Sequence, residues 1–250
     1  MDSIAQTSFI LSRIINIVSL GIIAFVSGKL VQKYNIKVNY TRKINHFAVF
    51  FIPILLEDLF VYRSTVATTV VSSGVYALLL LSLSNPVRSR SKLITTMFTS
   101  FDRPEDRPHT LLWLSTQVIA GFAILVPLAY LFMSMNIFEL TYIPVLINGI
   151  GDGLAEPVGV RFGKREYKVN AIFSTRTYSR TIAGSACVLI TAIVVVYFFR
   201  DSFTFQQFIA ALVLVPVTMT LAESFAPHTW DTPFLFFVGG VVLVAIVTIF

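Results

Sequence analysis

Charge is what this chain has least of. Of 250 residues, 13% are Asp, Glu, Lys or Arg and 56% are hydrophobic, with a mean hydropathy of +0.80. A soluble domain carries about 25% charged and about 45–50% apolar residues, so a water-soluble globule is excluded. The chain reads as a multi-pass membrane protein. Cysteine is nearly absent: Cys187 stands alone, which excludes an internal disulfide frame and a thiolate metal site. Within ACVLITAIVVVYFF it reads as a small buried apolar residue. A basic leader is missing as well. The first residues include Asp2, and Arg13 interrupts the first apolar run, a pattern that predicts no cleaved signal peptide.

The few charges are therefore informative by position. A net charge of +6 and a pI near 9.5 do not point to nucleic acid, because bases in a membrane protein report topology and contact with anionic lipids. A membrane span needs about 20 apolar residues. That rule predicts eight helices, near 8–28, 46–62, 64–84, 111–133, 140–155, 182–199, 205–222 and 233–250. The second is shortened by Pro53, Glu57 and Asp58, and the fifth contains Pro144, three glycines and Asp152. Broken spans survive at membrane depth where they pack in protein or line a wet cavity, so they mark candidate sites. The expected fold class is all-α: a polytopic bundle, forming a single integral-membrane domain over 1–250.

Sixteen of the 19 bases fall on one side of this arrangement, leaving Arg13, Arg63 and Arg200 for the other. By the positive-inside rule the basic side is cytoplasmic and both termini lie outside. The connection over 85–110 is expected to be a polar, proline-containing loop.

The polar residues concentrate between Asn148 and Ser185. Asp152 and Glu156 are four apart and share one face of a helix. Magnesium suits such a pair, since it takes one or two carboxylates and completes its shell with water and phosphate. The competing reading is an ion pair with Arg161 or Lys164. Gly149, Gly151 and Gly153 would let backbone amides approach a phosphate, or else serve close helix packing. Arg161, Gly163, Lys164, Arg165 and Lys168 form a basic, hairpin-like stretch. Arg176 and Arg180 follow, flanked by Ser174, Thr175, Thr177, Ser179 and Thr181, at what reads as a helix start able to hold an anion. Lower in the chain, Glu223 and Asp231 flank a short turn and are candidates for metal or substrate. The bland reading there is an interfacial turn anchored by Trp230.

Four stretches carry a resemblance to a known family: RKINH at 42–46, GDGLAEPVGVRFGK at 151–164, RTIAGS at 180–185 and AESFAPHTWDTP at 222–233. They resemble elements of the CTP-dependent lipid-alcohol kinases, which include dolichol kinase, phytol and farnesol kinases and CTP-dependent diacylglycerol kinase. Bacterial relatives often have names derived from phosphatidate cytidylyltransferase. Two positions depart from the family pattern, with Ala183 in place of a glutamate and Thr232 in place of an asparagine.

The resemblance implies transfer of the γ-phosphate of a nucleoside triphosphate, CTP, to a lipid or isoprenoid alcohol at the cytoplasmic face of a bacterial plasma membrane. It implies magnesium on Asp152 and Glu156. Arg161, Gly163, Lys164, Arg165, Arg176, Gly184 and Ser185 would contact nucleotide, with Arg180 at the transferred phosphate and Arg42, Lys43 and His46 also contributing. Partners would be the nucleotide, the lipid alcohol and membrane lipids. The alternatives are a lipid-phosphate cytidylyltransferase and a non-catalytic lipid-phosphate binder or transporter.

Overall fold

A computed structural model describes the backbone of residues 3–60, 62, 66–173 and 175–250. Asp2, Arg63 and Ser174, named above, lie outside the described residues. The chain is predominantly helical and divides into two compact units, Met1–Leu112 and Trp113–Phe250.

The first unit is built on α1 (Ser3–Tyr34) and α2 (Val38–Leu59), which pack along each other. Helix α1 stops at Asn35, whose φ of 52° is left-handed. The reversed amides there bond back, Asn35 N–H to Val31 and Ile36 N–H to Leu30, and so satisfy the last carbonyls. Next come α3 (Val66–Ser82), a single turn α4 (Asn85–Arg88) and α5 (Lys92–Thr99). The segment over 85–110 is thus not a plain loop. Helix α5 lies against α1, with Gly28 so close that an added Cβ would stand 1.8 Å from the Thr96 carbonyl oxygen. Its sequence disguised it because hydroxyls fill it. Those hydroxyls bond inside the helix, Ser91 capping Ile94 N–H and Thr96 donating to the Lys92 carbonyl. After α5, the charges of the connector pair with one another: Arg103 with Asp106 and Arg107 with Asp102, each at 2.7 Å.

Helix α6 (Thr110–Ser134) enters the second unit. The fifth expected span is indeed broken. It comprises a 3-10 turn (Phe138–Thr141), α7 (Tyr142–Leu146), a π-helical turn (Ile147–Asp152) and α8 (Gly153–Phe162), running past the predicted end. Then a hairpin, β1 (Glu166–Asn170) and β2 (Thr177–Thr181), pairs antiparallel with Glu166 opposite Thr181 and Asn170 opposite Thr177. This small sheet is the exception to the all-α class. Helices α9 (Ile182–Phe198), α10 (Phe205–Phe225) and α11 (Asp231–Ile249) complete the unit. Thr204 and Gln207 form a reciprocal capping box at the start of α10. The core is fully buried Phe132, Ile147, Val188, Met219, Leu235 and Leu243.

Among the described residues, four helices are long and apolar enough to cross a membrane: α1 from Gln6, α6, α10 and α11. Their large outward residues, such as Ile22, Ile119, Val213 and Val241, are more than 45% exposed, as expected of surfaces solvated by lipid. The chain is therefore a helical membrane protein.

Candidate functional site

The break in the fifth apolar stretch sets up the site. A π-turn holds one residue more than the α-helical ladder allows and is often found where a helix carries function. Here it buries Asn148 completely and Asp152 to 5% exposure. Asp152 ends the π-turn and precedes α8, and Glu156, one turn later, is half-buried.

Arg180 lies on β2, immediately before Thr181, the hydroxyl cap at the start of α9. Along β2, Tyr178 and Arg180 point away from Thr177 and Ser179, as strand geometry requires. The guanidinium is already engaged. Its Nη1 donates to Glu223 Oε1 at 2.8 Å and also to the Glu223 carbonyl oxygen. Its Nη2 donates to the Ala226 carbonyl at 3.0 Å and to the Asp231 carboxylate. Burial alone would lower the Arg180 pKa, but the Asp231 and Glu223 carboxylates outweigh it and hold the guanidinium above its ordinary value. As the structure stands, Arg180 orders two carboxylates. A direct grip on phosphate would require it to surrender these partners.

Glu223 has a second set of contacts. Its Oε2 accepts from Ser185 Oγ at 3.0 Å, and Tyr167 Oη lies 2.7 Å from the same serine oxygen. Ser224 Oγ donates to Ser185 Oγ at 3.2 Å. Asp152 lies within electrostatic range of Glu223. Ala183, where the resemblance leads one to expect glutamate, is in the first turn of α9 and brings no carboxylate; the one bonded to Ser185 comes from α10. At the other departure, Thr232 Oγ1 accepts from Gln117 at 3.0 Å and from Asn148 at 3.2 Å, tying α11 to α6 and the π-turn.

The glycines pack. A Cβ on Gly151 would meet the Val188 backbone at 3.1 Å, one on Gly163 would meet the Gly159 carbonyl at 2.4 Å, and one on Gly184 the Ala155 carbonyl at 2.8 Å. Gly151 thus seats the π-turn against α9, as the packing alternative for that glycine expects, and Gly184 seats α9 against α8. Thr181 caps α9 through the Gly184 N–H at 3.1 Å.

Sequence reasoning gave no role to an aromatic brace. The His228 ring stacks on Tyr178 at 3.5 Å and meets Trp113 edge-on at 5.2 Å. The His228 N–H bonds to the Asn170 carbonyl at 2.8 Å, so the 226–230 turn holds both strands. The alternation in EYKVN and TYSRT was the available signal for the strands.

Compared with protein-family models, curated proteins and solved structures, the chain matches none.

Arg161, Lys164, Arg165 and Arg176 are exposed at the end of α8 and along the hairpin. Arg42, Lys43 and His46 lie on α2 in the first unit; Lys43 is buried and the His46 ring packs on Phe50 at 4.8 Å. Among the described residues no group of three or more His, Cys, Asp or Glu is arranged to hold a metal ion. An all-oxygen pair such as Asp152 and Glu156 still fits magnesium in donor chemistry, because that ion draws the rest of its shell from phosphate and water.

Proposed function

We propose that the second unit carries the active centre of a membrane phosphotransferase that moves the γ-phosphate of a nucleoside triphosphate, CTP by resemblance, to a lipid alcohol. One observation carries the reading. Four polar groups distant in sequence, Asp152, Arg180, Glu223 and Asp231, come together at a helix break in an otherwise apolar bundle.

The chemistry demands such a boundary site. A lipid alcohol offers its hydroxyl at the membrane surface, and a nucleotide reaches it from water. Phosphoryl transfer then depends mainly on positioning and charge neutralisation. Asp152 and Glu156 would hold magnesium, which supplies positive charge to the phosphates. Arg161, Lys164, Arg165 and Arg176 bind the triphosphate from the exposed side. Arg180 orients Glu223 and Asp231, and Ser185, itself bonded to Tyr167, holds the second oxygen of Glu223. Asp152 is the candidate to accept the hydroxyl proton. The same reading takes α2, α3, the broken 138–162 segment and α9 as the spans that complete eight, with the basic loops and this centre on the cytoplasmic side of a bacterial plasma membrane.

The test uses purified protein with γ-labelled and α-labelled CTP or ATP and a panel of lipid alcohols. Label reaching lipid from the γ position supports the kinase. Label from the α position, with a lipid phosphate as acceptor, would assign a cytidylyltransferase instead, and no transfer from either would leave a binding protein.

A further inference from the structure

Arg13 belongs to none of this chemistry. It lies on α1 in the first unit and is 8% exposed, while Ile10, Leu11 and Ile14 on the outer face of the same turns are 57%, 44% and 51% exposed. At 1.5 Å per residue it stands about 24 Å along the helix from Lys29. The guanidinium is thus held inside the apolar layer with lipid-facing residues around it. Such a charge is costly and is ordinarily paired.

Its partners among the described residues are hydroxyls. Nε donates to Ser12 and Nη1 to Ser72, both at 3.3 Å, and Nη2 donates to Tyr62 at 3.0 Å. The rings of Phe9 and Tyr62 flank it at 5.5 and 5.8 Å. Glu57 is exposed and bonds the same Tyr62 hydroxyl that Arg13 engages. Among the described residues, three of the five guanidinium N–H groups have acceptors, leaving two donors.

One turn on, Asn16 faces the same way. It is 2% exposed, its amide donates to Tyr76 at 3.0 Å, and its Oδ1 is buried without a partner among the described residues. A buried acceptor left unmade costs about 1–3 kcal/mol. Among the described residues, helix α3, which supplies Ser72 and Tyr76, has no extensive backbone packing against another element. It is tied to α1 through these side chains, and exchangeable polar ties can admit a polar head.

We propose that Arg13 and Asn16, with Ser72, Tyr62 and Tyr76, form an intramembrane site for the phosphomonoester headgroup of a lipid. A phosphomonoester has a second pKa near 6, and removal from water favours the less charged form. The bound monoanion gives its oxygens to the Arg13 N–H groups that no described residue accepts and donates its remaining P–OH to Asn16 Oδ1. A phosphodiester has no such proton to give. A lipid phosphate is also the product class of the proposed transfer, but binding at Arg13 and Asn16 requires no turnover.

The experiment places the full chain in phosphatidylcholine nanodiscs doped with equal phosphatidate and phosphatidylglycerol, then measures retained lipid by native mass spectrometry. Phosphatidate should be retained roughly tenfold over phosphatidylglycerol, the worth of one charge-assisted hydrogen bond. Asn16→Leu should abolish that preference while keeping both anionic lipids above phosphatidylcholine. Arg13→Gln should lose both. If Arg13→Gln does not fold, Asn16→Leu and Ser72→Ala carry the test. Equal retention of the two anionic lipids by the native chain, an unchanged preference in folded Asn16→Leu, or displacement of phosphatidate by inorganic phosphate alone overturns the proposal.

Discussion

The Nη1 of Arg180 donates to Glu223 Oε1 at 2.8 Å, joining the second strand to a helix 43 residues further on. With Asp231 on the other arm, the guanidinium closes three elements around one buried charge. Removing it strands two carboxylates in an apolar setting. Arg180→Met should therefore cost about 3–5 kcal/mol, seen as a large fall in the unfolding midpoint in detergent. The triple variant Arg180→Met, Glu223→Gln, Asp231→Asn should recover most of that loss. If the triple variant is no more stable than the single one, buried charge is not what the arginine relieves.

Two glycines of the first unit separate packing from propensity. A methyl at Gly28 collides with the Thr96 carbonyl at 1.8 Å, whereas one at Gly74 meets nothing within 4 Å among the described residues. Gly28→Ala should destabilise by about 1–3 kcal/mol or more, while Gly74→Ala should be neutral or stabilising by up to about 1 kcal/mol. Thermal unfolding of the two single variants decides the matter.

At the start of α9, Thr181 accepts the Gly184 N–H. Thr181→Ala should cost about 0.5–2 kcal/mol, and Thr181→Ser should restore most of it by returning the hydroxyl. A serine variant as unstable as the alanine one would assign the effect to the lost methyl.

The brace predicts a local effect. His228→Ala removes a ring stacked on Tyr178 at 3.5 Å, a contact worth about 0.5–1.5 kcal/mol beyond its buried area. Amide exchange should quicken at Val169 and Tyr178 while the core of α10 keeps its protection. Uniform protection across the hairpin would show that the backbone bond from His228 to Asn170 suffices.

For the proposed transfer, Asp152→Asn should lower turnover by about 10²–10⁴-fold in protein that elutes and unfolds like the native chain. Chelation with EDTA should abolish transfer, and added magnesium should restore it. Near-native turnover in Asp152→Asn would remove this carboxylate from the reacting centre.

By itself the sequence determined the helical membrane character, the break around Pro144 to Asp152 and the isolation of the polar stretches, because each follows from local composition: apolar length, proline and unbalanced charge act over a few residues. The strands of the hairpin were hidden because the alternation spans only EYKVN and TYSRT, and Arg176 and Arg180 read as a helix start. Helix α5 was hidden because its hydroxyls look polar until they bond inward. Only the tertiary structure decided that Arg180 serves Glu223 and Asp231, that Gly163 and Gly184 make room for neighbouring backbone, and that His228 lies on Tyr178. Those outcomes depend on which segments meet across tens of residues, where burial turns a polar side chain from a surface group into one that must find its partner.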